Sequence, residues 1–182
     1  MKLMIASDIH GSAHYCKKLI EYYKNSGCQK LVLLGDVLYH GPRNDLPRQY
    51  APKEVISILN EIKEEILCVR GNCDTEVDQM VLSFPVLADY AVIFDGNNTL
   101  YLSHGHKTAE LEAKLQNGDV LLCGHTHVPT VKESENFIYI NPGSVSIPKE
   151  NSPNSYIIYE NGEFNWYDME DQTIYRSYSL NS

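Results

Sequence analysis

Leu31-Val32-Leu33-Leu34-Gly35-Asp36 is an apolar run stopped by a glycine and a carboxylate. It is too short for a helix and shows no polar alternation, so it reads as a strand buried on both faces. The same design recurs on either side of it. Leu3-Met4-Ile5-Ala6 runs into Ser7-Asp8-Ile9-His10, and Glu65-Ile66-Leu67-Cys68-Val69 into Arg70-Gly71-Asn72. Helical patterns lie between these runs. His14–Tyr23 sets Tyr15, Leu19, Ile20 and Tyr23 at helical spacing and stops near Asn25-Ser26-Gly27. Pro52 opens a second helix, with Val55, Ile56, Ile58, Leu59 and Ile62 on its apolar face. This strand–helix–strand–helix order predicts a parallel sheet covered by helices.

Beyond residue 90 the pattern turns to hairpins. Ala91-Val92-Ile93-Phe94 and Thr99-Leu100-Tyr101-Leu102 flank the turn signal Asp95-Gly96-Asn97-Asn98, and Glu160-Asn161-Gly162-Glu163 is another. A short helix is expected around Thr108–Leu115, then a buried strand Val120-Leu121-Leu122-Cys123. Phe137–Ile140, Ser155–Tyr159, Phe164–Tyr167 and Thr173–Tyr178 read as further strands. No repeat, low-complexity tract or linker interrupts the 182 residues. One α/β domain spanning 1–182, with two sheets, is the expectation.

Composition narrows the function classes. Hydrophobic residues make up 43% and charged residues 21%, ordinary for a chain with a packed core. A net charge of −9 argues against stable nucleic-acid binding and against adhesion to an anionic membrane. Phosphate esters stay open as substrates, because bound metal can reverse the field locally. Five cysteines, an odd number without a CxxC pair, fit a reduced compartment. Met1–Ser7 shows no secretory signal, and no apolar stretch approaches the roughly 20 residues needed to span a bilayer. A soluble, cytoplasmic protein is expected, and strands in the C-terminal third could support a homodimer.

Chemistry collects where the strands stop. The first three runs end in Asp8-Ile9-His10, Asp36 and Asn72. Leu100-Tyr101-Leu102-Ser103 ends in His104-Gly105-His106, and Leu121-Leu122-Cys123-Gly124 in His125-Thr126-His127. Carboxyl ends of strands in α/β sheets converge on a shared crevice, so residues distant in sequence can meet there. Carboxylate, imidazole and amide oxygen suit manganese, iron, zinc or nickel. Gly35, Gly71 and Gly124 each precede a candidate ligand and permit tight turns. The i, i+2 spacing in Asp8-Ile9-His10 and His125-Thr126-His127 predicts two ligands on one side of extended chain. Each signal alone is weak, since a lone Asp or Asn after a strand is usually a turn residue or a cap. The ordered set argues for metal.

In sequence order, Asp-x-His, Gly-Asp, Gly-Asn, His and Gly-His-x-His resemble the calcineurin-like metallophosphoesterase superfamily from Lys2 to about Ser146. The likeness to its small bacterial phosphodiesterases is closest in residues 34–44, 69–80 and 141–148. The resemblance implies a four-layer α-β-β-α sandwich, two facing β-sheets flanked by helices. It also implies two divalent metal ions, with manganese first and zinc, iron or nickel as alternatives. One would take Asp8, His10, Asp36 and His127, and the other Asp36, Asn72, His104 and His125, with Asp36 as the bridge. Such ions sit ~3.5–4 Å apart, and the reaction implied is in-line attack of a bridging hydroxide on a small phosphodiester. Two divalent ions against two carboxylates and a hydroxide leave a small positive charge, suited to an anionic ester.

One position departs from the superfamily. Its Gly-Asn-His motif carries the expected general acid, and here reads Gly71-Asn72-Cys73. A thiol with a pKa near ~8.5 can donate a proton but is no imidazolium, so esters with good leaving groups are expected to turn over best. Cys73 as a small space-filler is the alternative. Asp36 and Cys73 thus head the catalytic candidates. Asp74 either orients a neighbour or, more simply, caps a helix beginning there. His40, Arg43 and Arg70 lie in or near ligand loops as candidates for phosphate oxygens, with His106 as a rim contact. Asn141-Pro142-Gly143-Ser144 reads first as a turn. A phosphomonoesterase or protein phosphatase would need the same metals, and sequence separates it poorly from a diesterase. One branch of the superfamily serves as a non-catalytic scaffold with a degraded metal site, but no ligand position is lost here.

Overall fold

β1 (Lys2–Ala6) pairs in parallel with β2 (Lys30–Leu33), and β2 with β3 (Ile66–Cys68), as the apolar runs predict. On β1, Leu3 and Ile5 point into one core while Met4 and Ala6 point into another. With both faces covered, neither half of the two-residue period is free to be polar. The structure, a computed structural model, describes residues 1–180.

The first core lies under helices. α1 (Ala13–Ser26) begins at Ser12, whose hydroxyl accepts the Tyr15 amide, and ends at Gly27 in the left-handed conformation. α2 (Pro52–Asn60) opens on its proline. Together they lay Cys16, Leu19, Val55 and Leu59 on Met4, Leu31 and Leu33. α3 (Glu76–Val81) is a short helix that hydrophobic periodicity does not announce. Thr75 caps it, and the Asp78 carboxylate accepts the Thr75 amide at 2.6 Å.

The second sheet contains β4 (Ala91–Asp95), β5 (Asn98–Leu102), β6 (Asp119–Leu122), β7 (Thr130–Glu133) and β8 (Phe137–Asn141), in the order β4-β5-β6-β8-β7. The chain then returns to the first sheet. β9 (Ser155–Glu160), β10 (Glu163–Asp168) and β11 (Ile174–Ser179) add antiparallel to β1, giving β11-β10-β9-β1-β2-β3. The strongly marked hairpin at Asn161 and Gly162 has both residues at positive φ (52° and 87°), as its two-residue turn requires. The parallel sheet expected from the first half is present as β1, β2 and β3, and the returning antiparallel strands extend it into a mixed sheet.

The two sheets face each other across the second core. Leu3, Ile5, Val32 and Leu34 meet Leu100, Leu102, Val120, Leu122 and Ile140 there, each side chain contributing roughly 1.5–3 kcal/mol by its burial. Trp166 on β10 is fully buried, and its indole N–H donates to the Asn141 carbonyl on β8 at 2.9 Å, linking the sheets. On the far side, α4 (Ala109–Glu112) and the turn after it press Leu111 and Leu115 onto Leu121 and Cys123. The result is the four-layer sandwich that the superfamily resemblance implies. Among the described residues, no helix is long and apolar enough to cross a membrane.

Candidate metal centre

The ends of β1 and β2 meet those of β5 and β6, so the cluster is assembled between two sheets rather than at the edge of one. Short backbone bonds join the loops: Asp8 N–H to the Gly35 carbonyl (3.1 Å), His10 N–H to the Asp36 carbonyl (2.9 Å) and Gly124 N–H to the His104 carbonyl (2.9 Å). The chain here is not extended, which corrects the reading from i, i+2 spacing. Asp8 (φ 59°), His10 (49°), Asp36 (53°), His125 (67°) and His127 (62°) are all left-handed. For residues with a Cβ this costs roughly 1–3 kcal/mol each, and such strain gathers at functional sites. It also separates the last pair of histidines. His127 lies beside His10, with ring centroids 5.1 Å apart, whereas His125 lies beside His104 at 5.0 Å.

Asp36 stands between the two groups. Its Oδ2 is 3.7 Å from His10 Nε2 and 3.4 Å from His104 Nε2, while its Oδ1 accepts the Cys73 amide at 2.8 Å. On one side Asp8 Oδ1 is 3.5 Å from His10 Nε2 and 3.2 Å from His127 Nε2. On the other, His104 Nε2 is 3.0 Å from Asn72 Oδ1. Donor atoms of Asp8, His10 and His127 could hold a cation, as could those of Asp8, Asp36 and His104, or of His10, Asp36 and Cys73.

The imidazoles are preset for that task. His10, His104 and His127 each direct Nδ1 at a backbone carbonyl, of Tyr39 (2.6 Å), Leu34 (2.7 Å) and Ile147 (2.6 Å) respectively. A carbonyl can only accept, so Nδ1 carries the proton and the Nε2 lone pair faces inward. His10 Nε2 and His127 Nε2 then confront each other at 3.3 Å, an arrangement that needs a cation or a proton between them. Asp8 Oδ1 is buried and has no well-formed hydrogen bond among the described residues. These observations fit bound metal: inward lone pairs, an orphaned carboxylate oxygen and no water-facing escape.

The side chains create the matching field. Burial works against ionising Asp8, but the His10 and His127 imidazoles together hold its carboxyl well below the usual range. Asp36 is lowered too, its burial outweighed by His104 and the Cys73 amide. Burial disfavours charge on His104, yet Asp36 and Asp8 bring it up to about 9. His10 is raised for the same reason, by Asp8 against its own burial. A field that retains protons so firmly also retains cations. Cys73 is pushed up to about 12, first by burial and then by the neighbouring Asp36 charge.

A supporting layer holds the cluster, and most of it escapes sequence reading. Asp74 is no helix cap, since Thr75 takes that place. Its carboxylate, 2% exposed, accepts the backbone N–H groups of Gly71 (2.7 Å), Asp36 (2.8 Å) and Val37 (2.9 Å). The Asn141–Ser144 stretch is more than a turn. Asn141 Nδ2 donates to the Gly124 carbonyl at 2.7 Å, and the Ser144 and Ser146 hydroxyls donate to the Asp8 carbonyl at 2.9 and 3.1 Å. Gly124 is needed for close approach, because a Cβ there would overlap Ser7 Oγ and lie 2.8 Å from Asp8 Oδ2.

The residues expected at phosphate oxygens spread out around the mouth. Arg70 donates through Nε to the Asp74 carbonyl (3.2 Å) and lies 3.7 Å from Glu76, so its guanidinium braces the Asn72 loop. Arg43 is exposed on the turn after Gly41. His40 is half-buried, edge-on to Tyr39 and Tyr50. His106 sits beside His104 and His125, with ring centroids 5.5 and 6.2 Å away.

Residues 1–163 match the calcineurin-like phosphoesterase superfamily domain, and the chain belongs to that superfamily. Within it, the chain is 46% identical to "Phosphodiesterase YfcE" of Escherichia coli K12 over 182 residues, which is 100% of this chain and 99% of that one. A solved structure described as YfcE, a phosphoesterase from E. coli, superposes with a TM-score of 0.95 over the whole of both chains. "Phosphodiesterase MJ0936" of Methanocaldococcus jannaschii is 24% identical over 151 residues, covering 79% of this chain and 83% of its own. Vacuolar Protein Sorting 29 from Cryptosporidium parvum shares the fold, with a TM-score of 0.65 at 18% identity over 98% of this chain and 97% of its own.

Proposed function

We propose that the protein is a phosphodiesterase working with two divalent metal ions, manganese foremost. Asp36 supports this reading most directly, its Oδ2 lying 3.7 Å from His10 Nε2 and 3.4 Å from His104 Nε2. In this assignment Asp8, His10, Asp36 and His127 hold one ion, and Asp36, Asn72, His104 and His125 hold the other. Oxygen and imidazole donors without an obligatory thiolate suit manganese, with zinc, iron and nickel the competitors. When bound, the ions supply an activated water and offset charge on the phosphoryl oxygens.

The chain's own residues do the rest. Asp36 fixes the spacing of the two positions, and the Asp74 carboxylate fixes the loop that carries Asp36. The Leu34, Tyr39 and Ile147 carbonyls hold the imidazole tautomers. Cys73, beside Asn72 Nδ2 at 3.3 Å, is the residue we assign to the leaving oxygen. A neutral thiol is a weak acid, so this assignment favours esters of acidic alcohols. His40 and Arg43 remain candidates to meet phosphate oxygens at the mouth. Five unpaired cysteines agree with a reducing cytoplasm, and the exposed Ile174 and Tyr175 on β11 offer an edge for a homodimer.

Asp36→Asn tests the reading. It should lower bound metal below that of the wild type and reduce diester turnover more than about 100-fold, beyond the scale of losing a supporting partner. Metal content by mass spectrometry and parallel assays of a chromogenic diester and its monoester provide the readout. Wild-type metal and activity in the variant would sink the assignment. Faster monoester cleavage would identify a phosphomonoesterase, and an inert, metal-free wild type would identify a scaffold.

A further inference from the structure

A cleft of about 470 Å³ opens beside the metal centre, between the bend at Asp89 and Tyr90 and the helix α4. Its volume falls within the range of small-molecule sites. Leu111 forms a buried floor, and Tyr90 stands 52% exposed on the wall. The Arg70 amide donates to the Ala88 carbonyl at 2.8 Å, tying this bend to the loop that carries Asn72. His106 belongs to both places. It lines the cleft, while its ring contacts those of His104 and His125, and its Nδ1 is buried with no partner among the described residues.

We propose that this cleft receives the ester substituent that stays on phosphorus, and that it selects a flat aromatic group. The inference rests on the phosphodiesterase reading. A monoester has one substituent, but a diester carries a second that must be accommodated when the phosphoryl group lies at the metals. Cys73, assigned to the leaving oxygen, lies within reach of His10 and Asp36, whereas the cleft is lined by His106, whose ring contacts those of His104 and His125. Cys73 does not line the cleft, so the retained substituent and the leaving group occupy different places. An exposed tyrosine over a leucine floor is a stacking surface. Lys107 and Lys114 on the walls are balanced by Asp89 and Glu110, so the cleft has no net charge to recruit a second phosphate.

The test uses the full-length, manganese-loaded protein with two diesters sharing one leaving group, phenyl and methyl p-nitrophenyl phosphate. Tyr90→Ala removes the stacking wall, and Ala109→Trp fills the cleft from its rim. Each variant should reduce the phenyl-over-methyl preference in kcat/KM about tenfold, chiefly through KM. Calorimetric binding of diphenyl against dimethyl phosphate, with melting curves to verify folding, gives a readout independent of turnover. Wild-type preference and wild-type binding in both variants would overturn the proposal. If the wild type hydrolyses neither diester, the phosphodiesterase reading fails, and the binding comparison still decides whether the cleft prefers aryl groups.

Discussion

Replacing Asp74 with alanine should destabilise the protein and loosen the centre together. The carboxylate is buried and accepts three backbone N–H groups, those of Asp36, Val37 and Gly71. Alanine strands all three donors. A buried donor without a partner costs roughly 1–3 kcal/mol, and water entering the vacated space would keep each near the lower bound. The total is about 3 kcal/mol, or about 6–12 °C in Tm for a chain of this size. Asparagine keeps one acceptor oxygen but turns an amide N–H₂ toward a backbone donor, so Asp74→Asn should fall between wild type and alanine. Because two of the orphaned amides belong to Asp36 and Gly71, metal affinity should fall with stability. Thermal melts by circular dichroism and manganese titrations on the three proteins would measure both. An Asp74→Ala protein that melts within about 2 °C of wild type and binds metal normally would refute this account of the loop.

Gly124→Ala places a methyl group against Ser7 and Asp8 and should displace the Asp8 carboxylate. A shift of about 1 Å at a reacting site can cost ~100-fold in turnover, so kcat should drop far more than Tm, and equal retention of both would contradict the packing argument. Cys73→His should speed esters of poor leaving groups by about 100-fold while altering p-nitrophenyl esters less, since positioned general acids contribute most where the departing oxygen is basic. A leaving-group series with unchanged slope would remove Cys73 from that role. Cys16 and Cys123 are pushed up to about 12, first by burial and then by Glu54 and Glu112 respectively, against an ordinary value of 9.0. The unfolded chain therefore loses these protons first, and stability present below pH 9.0 should decline as pH rises toward 12. Melts across this window should slide downward, and less steeply for a Cys16→Ala, Cys123→Ala double variant; identical slopes would count against the thiols.

Much of the fold can be read from the chain because β1, β2 and β6 are covered on both sides, which writes them as uninterrupted apolar runs. The hairpin at Asn161 and Gly162 is equally open, since only a few residue types tolerate two left-handed positions in a row. β7 was hidden because it is a polar edge strand, with Lys132 and Glu133 exposed. The return of β9 to β1 is a tertiary event with no local signature. At the site, residue types at strand ends disclosed which side chains collect there. They did not disclose the left-handed backbone, which depends on loops meeting between two sheets. Nor could they disclose the Tyr39 and Ile147 carbonyls, since every residue has one and only the fold selects which imidazole it meets. Asp74 reads as a cap because a carboxylate just before a helix usually is one, whereas here Thr75 takes over and frees it.

The left-handed residues at the centre set endurance against chemistry. Glycine would occupy the backbone at Asp8, His10, Asp36, His125 and His127 with less strain, yet it would carry no donor atom. Evolution directed at heat resistance alone would have reason to erase these side chains, and the hardiest descendants would be the least competent. Any search for a tougher form of this protein therefore has to select for metal loading at the same time, or it will be rewarded with a well-folded shell.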